Sequence, residues 1–210
     1  MVFLVIHLAG NLLLYSPHPE HINEYTQSLR DKGWLLTLAE IGLLLAFVVH
    51  IALATVTALR NRSARGVQGY AVTKTKGGPS KNTLGSRNMI ITGAVTLAFL
   101  IVHLKNFRFG PGPAAGYVTS AQGRDIWDVH QLIVDDFHRG GLVAFYVACI
   151  FFLGFHLRHG FWSAFQSLGA MNPRWSRPVY ALALIIAVLL ALGFLCIPLW
   201  IYFDIPSRFL

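Results

Sequence analysis

Five apolar runs leave this chain little choice of fold: Met1 to Tyr15, Trp34 to Leu59, Asn88 to Asn106, Gly140 to Phe161 and Val179 to Phe203. Crossing about 30 Å of hydrocarbon takes roughly 20 helical residues, and the last four runs reach that length. They are too long and too uniformly apolar for buried strands. The expectation is an all-α integral membrane protein, a five-helix bundle forming one transmembrane domain over residues 1–210. Composition agrees, since 12% of the chain is charged where a soluble domain carries about a quarter.

The first run is the exception, spanning only about 22 Å as a helix. It lacks the basic leader and small-residue cleavage site of a signal peptide. It reads as a true span whose opening residues are absent from the given sequence.

Charge placement sets the expected orientation. Residues 60–87 carry Arg60, Arg62, Arg65, Lys74, Lys76, Lys81 and Arg87 without an acid, and residues 157–178 carry Arg158, Arg174 and Arg177, again without one. Every Asp, with Glu20 and Glu24, lies in the other connections and the C-terminal tail. The positive-inside rule then places these two basic connections and the N-terminus in the cytoplasm, with the C-terminus outside a bacterial inner membrane. Trp34, Trp162, Trp175 and Trp200 fall near span ends, as interfacial aromatics do. The net charge of +8 belongs to these loops, and no basic-aromatic stripe on a soluble face supports nucleic-acid binding. The Gly-rich stretches at Gly77 and Gly110 read as loops, and the long connection from Phe107 to Arg139 has room for a short interfacial helix over residues 125–134.

Nine histidines are present, and His7, His50, His103 and His156 lie inside apolar runs. Ionisable residues within the membrane are expensive and point to function; the plain alternative is a neutral imidazole bonded to a neighbouring helix. Depth separates the readings. His50 lies about 15 Å from the inner end of its helix and His103 about 24 Å from the inner end of its own, while His7 lies about 12 Å from the outer end. His156 lies two residues before Arg158, where its helix emerges inside. His50 and His156 therefore share the inner half, and His7 and His103 the outer half. Two imidazoles on facing helices, with a flat macrocycle between them, are what b-haem ligation requires. The four histidines predict two haem b groups in a four-helix core, with Gly10, Ala52, Ala54 and Gly154 as small residues making room for the rings. Cys149 and Cys196 read as apolar packing residues, and no Cys-x-x-Cys-His is present for covalent attachment.

The runs VFLVIHLAGNLLLY, EIGLLLAFVVHIALA, ITGAVTLAFLIVHLKNF and GFHLRHGFWSAFQSLG, with RDIWDVHQLIVDDF in the outer loop, resemble the cytochrome b subunit of succinate dehydrogenase and fumarate reductase. The resemblance is to the single-chain, five-helix, dihaem class and covers essentially the whole chain. It implies His7 with His103 on a distal haem and His50 with His156 on a proximal one, the same pairing that depth gives. It further implies a flavoprotein and an iron–sulfur subunit on the cytoplasmic face, and electron flow from succinate through both haems to a quinone, menaquinone by expectation. By that resemblance this chain supplies the anchor and binds no succinate itself. Two departures stand out. The amino end is short, and Gly154 occupies a position where some fumarate-reducing relatives carry an acid, which favours succinate oxidation here.

Further candidates surround the pairs. His159, one turn past His156, is a rival ligand or a propionate contact. Ser163 and Arg174 are placed to meet the inner propionates, although Arg174 reads equally as a solvated loop residue. Glu40, the one acid inside a span, is either a quinone-site proton donor or a carboxyl neutralised by burial or paired with Arg30 or another outer-half group. Asn11, four residues past His7 on one helical face, joins Glu40 as a quinone-site candidate. His18, His21, His130 and His138 read as solvated or interfacial, with no compact metal-ligand spacing. Other classes compatible with buried histidines are a dihaem subunit of a different respiratory oxidoreductase, a haem-free anchor, and a His-lined proton or solute transporter. The transporter reading lacks the inverted repeats and broken helices usual for that class.

Overall fold

A computed structural model describes residues 1–65, 88–121 and 123–203. It is mostly helical: α1 (Val2–Asn11) runs into a 3-10 turn (Leu12–Tyr15), followed by α2 (Glu20–Arg30), α3 (Trp34–Arg65) and α4 (Met89–His103). A π-helical turn (Leu104–Arg108) follows α4, then strands β1 (Val118–Ala121) and β2 (Arg124–Trp127), and helices α5 (Val129–Phe137), α6 (Gly140–Ser167) and α7 (Ser176–Tyr202). Four helices are long and apolar enough to cross a membrane: α3, α4 with its π turn, α6 and α7. This marks a membrane protein. The shorter apolar segment Val2–Tyr15 spans about 23 Å, counting its 3-10 turn, against the roughly 30 Å of a bilayer core. Lys74, Lys76, Lys81, Arg87, the Gly77 stretch and Asp204 lie outside the described residues.

The bundle is built on α6. Along α7, Ala183, Ala187 and Leu190 are buried, and a Cβ added at Gly154 of α6 would lie 3.3 Å from the Cβ of Ala191. Small residues at this contact let two backbones approach closely, the usual basis of helix packing where lipid removes the hydrophobic drive. Helix α4 packs on α6 and α1 on α7, where Leu8 seats on Gly193 so tightly that a Cβ there would meet its Cδ2 at 2.6 Å. Helix α3 stands apart from this packed set, with none of the residues in its most apolar 18-residue window buried.

One end of the bundle carries a cap that hydropathy does not announce. The antiparallel β1–β2 hairpin pairs Val118 with Trp127, and α2 and α5 pack beside it. Leu132, Ile133, Phe137, Trp127 and Ile22 join Tyr146, Ile197 and Ile201 of the long helices in one apolar core. Asn23 of α2 is buried and holds the cap together: its Nδ2 donates to Asp128 Oδ1 at 2.9 Å and its Oδ1 accepts from the His130 backbone at 2.8 Å. Asp128 also caps α5, accepting from Gln131 N at 3.0 Å. Asp31 pairs with Arg124 at 2.6 Å, and the Arg30 guanidinium lies 4.8 Å from the centre of the Trp127 ring.

At Gly33 and Gly110 the backbone demands glycine. Gly33, with φ +53, ends the turn from α2 into α3 in the left-handed region. Gly110 ends the π turn so close to Asn106 that an added Cβ would fall 1.8 Å from its carbonyl oxygen.

Two sequence expectations change. Residues 16–33 contain the helix α2 rather than loop alone, and the expected interfacial helix over 125–134 begins at Val129, because Arg124–Trp127 form a strand. The long helices also outrun their apolar stretches, α3 to Arg65 and α6 to Ser167, while α7 begins at Ser176 with Pro178 in its first turn, where no backbone donor is required.

Replacing Asn23 with Ala leaves the Asp128 carboxylate and the His130 amide short of a partner; the expected loss is about 1–3 kcal/mol, read as a lowered Tm. A second outcome concerns pH. Burial pushes the His130 imidazole below its ordinary 6.5, with the nearby Asp128 carboxylate opposing. The unfolded cap therefore binds the proton more readily. Above pH 6.5 His130 costs nothing, and stability falls as pH drops from 6.5 through the lower folded value. Hydrogen bonds from Arg124 and then Gln27 hold Asp31 below the carboxylate range, so its own loss comes only in stronger acid. Tm measured between about pH 7 and 5 declines in the wild type and flattens in His130→Gln.

Candidate functional site

The structure brings the four histidines of the apolar helices together in two pairs. His7 of α1 faces His103, the last residue of α4, with ring centres 5.7 Å apart and planes at 85°. His50 of α3 faces His156 of α6, with centres 6.1 Å apart and planes at 87°. No hydrogen bond joins the rings of either pair; nitrogens in direct hydrogen bond would draw the centres to roughly 5.2 Å. A metal about 2.0–2.1 Å from each nitrogen sets the ring centres roughly 6.4 Å apart; the His50–His156 pair lies near that figure, and the His7–His103 pair lies between the two.

The helices bearing each pair are not the ones that pack. Close packing joins α4 to α6, α6 to α7 and α1 to α7, whereas the pairs join α1 to α4 and α3 to α6. Each pair thus reaches across a separation between backbones. On α4, Thr92 contacts His156 eleven residues before His103, and on α6, Tyr146 contacts His103 ten residues before His156. Both intervals put the two levels about 15–16 Å apart along the bundle.

Each ring has a distinct setting. His7 stacks on Phe3 at 5.4 Å and meets Phe194 at 5.6 Å, while His103 lies among Phe99, Phe107 and Tyr146. The Tyr146 hydroxyl is 3.4 Å from His103 Nδ1, and Thr92 Oγ1 is 3.3 Å from His156 Nδ1. With Nδ1 occupied in this way, Nε2 is left for a metal. Among the described residues no three His, Cys, Asp or Glu side chains converge as a protein-only metal cage. Two facing imidazoles instead suit an iron whose four equatorial positions a macrocycle fills. The residues present therefore fit haem b.

The remaining candidates divide. Asn11 lies beside His7, donating to its carbonyl at 2.7 Å with its amide nitrogen 3.4 and 3.5 Å from the two ring nitrogens. Glu40 is held by Arg108 in a two-point ion pair, Nε to Oε1 at 2.7 Å and Nη2 to Oε2 at 2.9 Å. It therefore pairs with an arginine from the π turn, while Arg30 lies over Trp127. His159 sits edge-on to Trp162 at 4.8 Å with its Nδ1 buried and unpartnered, and the ring that meets His50 is that of His156. The Ser163 carbonyl accepts from Ser167, and Arg174 is exposed in the α6–α7 turn. Cys149 and Cys196 are free thiols. A cavity of about 180 Å³ between α2 and the hairpin lies in the cap, away from both pairs.

The small residues do not all serve as expected. Gly10 lies under the Tyr25 ring and Gly154 against Ala191, so both serve helix packing, and Ala52 and Ala54 are exposed on α3. The glycine beside a ligand-candidate ring is Gly93, whose added Cβ would sit 3.5 Å from His156 Cε1. Thr92, Tyr146 and Arg108 are the residues that sequence reasoning missed. Thr92 leaves one faint signal, a polar residue within an apolar run; the partners of the other two lie too far away in sequence to be read.

Comparison of the chain with protein-family models, curated proteins and solved structures finds no match in any of the three.

The Glu40–Arg108 pair supplies a check on where α3 stands. With Cys149 and Cys196 replaced by Ala, cysteines substituted for Glu40 and Arg108 are expected to be linked by a short bifunctional thiol reagent. Peptide mass spectrometry reads the crosslink, and its absence would misplace α3.

Proposed function

We propose that this chain is the dihaem cytochrome b anchor of a succinate:quinone oxidoreductase, carrying electrons between a cytoplasmic iron–sulfur subunit and a membrane quinone. One observation carries the haem part: four histidines of apolar helices face each other two by two, with ring centres 5.7 and 6.1 Å apart, on levels about 15 Å apart. The resemblance of the histidine-bearing runs to that family carries the assignment to the succinate complex.

Haem b bound at each level supplies reversible one-electron chemistry. The chain's part is to hold the two sites at fixed separation, so that one long gap across the membrane becomes short hops, and to keep each in an apolar setting that governs its potential. His50 and His156 hold the inner, proximal site; His7 and His103 hold the outer, distal one. His159, Ser163 and Arg174 lie toward the inner end, where propionates would emerge. Asn11, beside His7, is the better-placed quinone-site residue. Glu40 has to leave Arg108 before it serves as a proton donor. The flavoprotein and iron–sulfur subunits dock on the basic, cytoplasmic face, opposite the cap, and the C-terminus lies outside.

The purified protein is expected to be red, with a b-type reduced-minus-oxidised spectrum and two haems per chain by pyridine haemochrome. His50→Ala halves the haem content and leaves the other site's spectrum intact; retention of both haems would refute the pairing. Mass spectrometry of co-purifying chains reads the partner subunits.

A further inference from the structure

We propose that Thr92 is a positioning residue that fixes the tautomer of His156 and, through it, lowers the redox potential of the haem held by His50 and His156. The inference rests on the dihaem reading above and extends it to the regulation of one site.

Thr92 is 4% exposed and is one of three buried polar residues among those described, with Asn23 and Ser176. The other two are explained locally: Asn23 ties the cap, and Ser176 donates to the Asn172 carbonyl at the start of α7. The Thr92 hydroxyl lies 3.2 Å from the Met89 carbonyl, 3.3 Å from His156 Nδ1 and, more distantly, 4.0 Å from the Met89 sulfur. With Nε2 on iron, a neutral His156 imidazole carries its hydrogen on Nδ1, and the Thr92 hydroxyl hydrogen goes to the Met89 carbonyl, which only accepts. Only lone pairs then face the ring, and His156 donates from Nδ1. This hydrogen bond keeps the lone pair of the imidazole on Nε2, the nitrogen free to take iron.

The same hydrogen bond has an electronic effect. An Nδ1–H that donates to oxygen makes Nε2 a stronger donor to the metal, which favours the ferric over the ferrous state. His103 differs in kind: its Nδ1 neighbour is the phenol of Tyr146, at the longer distance of 3.4 Å, inside an aromatic cluster. The two sites are therefore tuned by separate groups.

The test is a redox titration of the full-length protein as isolated from membranes, in wild type, Thr92→Val and Thr92→Ser. In Thr92→Val two haems remain and one midpoint potential moves upward, the shifted component being the one that His50→Ala removes. Thr92→Ser restores the wild-type value. Two haems with unchanged potentials in Thr92→Val would overturn the inference and leave the dihaem reading standing. If Thr92→Val loses a haem, Thr92→Ser decides: full occupancy at the wild-type potential supports the role, and loss there too overturns it. A wild-type protein without a b-type spectrum would overturn the dihaem reading itself.

Discussion

An imidazole inside an apolar helix must find something to bind, and this requirement organises the bundle. A polar group left without a partner in hydrocarbon costs several kcal/mol, roughly the scale of a whole domain's margin of stability. The four histidines face each other two at a time, at 5.7 and 6.1 Å, across helices that otherwise keep their backbones apart. Close packing is assigned to a different set of helix pairs, where Ala187, Ala191, Gly154 and Gly193 let backbones approach. Helix pairs that touch and helix pairs that face each other across a gap are thus separate design elements. The gap follows from where the small residues are and where they are not.

The cap gives the first helix its place. With only 10 residues, α1 is too brief to be held by a membrane alone. It is clamped at Leu8 by Gly193 and at Gly10 by Tyr25, within one turn past His7. Tyr25 belongs to α2, which Asn23 fastens to α5, whose Leu132 and Phe137 lie in the same core as Tyr146. A continuous series of buried contacts therefore runs from the hairpin to the residue that touches His103. The position of the first pair is set by tertiary structure outside the apolar runs.

That series explains what the sequence made legible. Long apolar runs report a low-dielectric surround, and four of them emerge as long helices; depth counting at a fixed rise per residue brings His7 to His103 and His50 to His156. Helix ends were read short because hydropathy stops at the hydrocarbon edge, whereas backbone hydrogen bonding carries α3 on to Arg65 and α6 to Ser167. The helix α2, EHINEYTQSLR, is polar overall and hides its two buried residues, Ile22 and Asn23, within solvated neighbours. The hairpin strands are four residues each and give too short an alternation to read. Thr92 and Arg108 act through partners 64 and 68 residues away, and no local pattern encodes such a contact.

The two pairs consequently differ in how they are anchored. His7 and His103 sit on helices already fixed, α1 by the cap and α7, and α4 by α6, so their facing geometry exists before anything binds between them. His50 sits on α3, whose apolar window buries no residue and which is tied to α4 by Glu40 and Arg108 near one end. About 15 Å of helix separates that ion pair from His50. Among the described contacts α3 is thus the least fastened of the histidine-bearing helices.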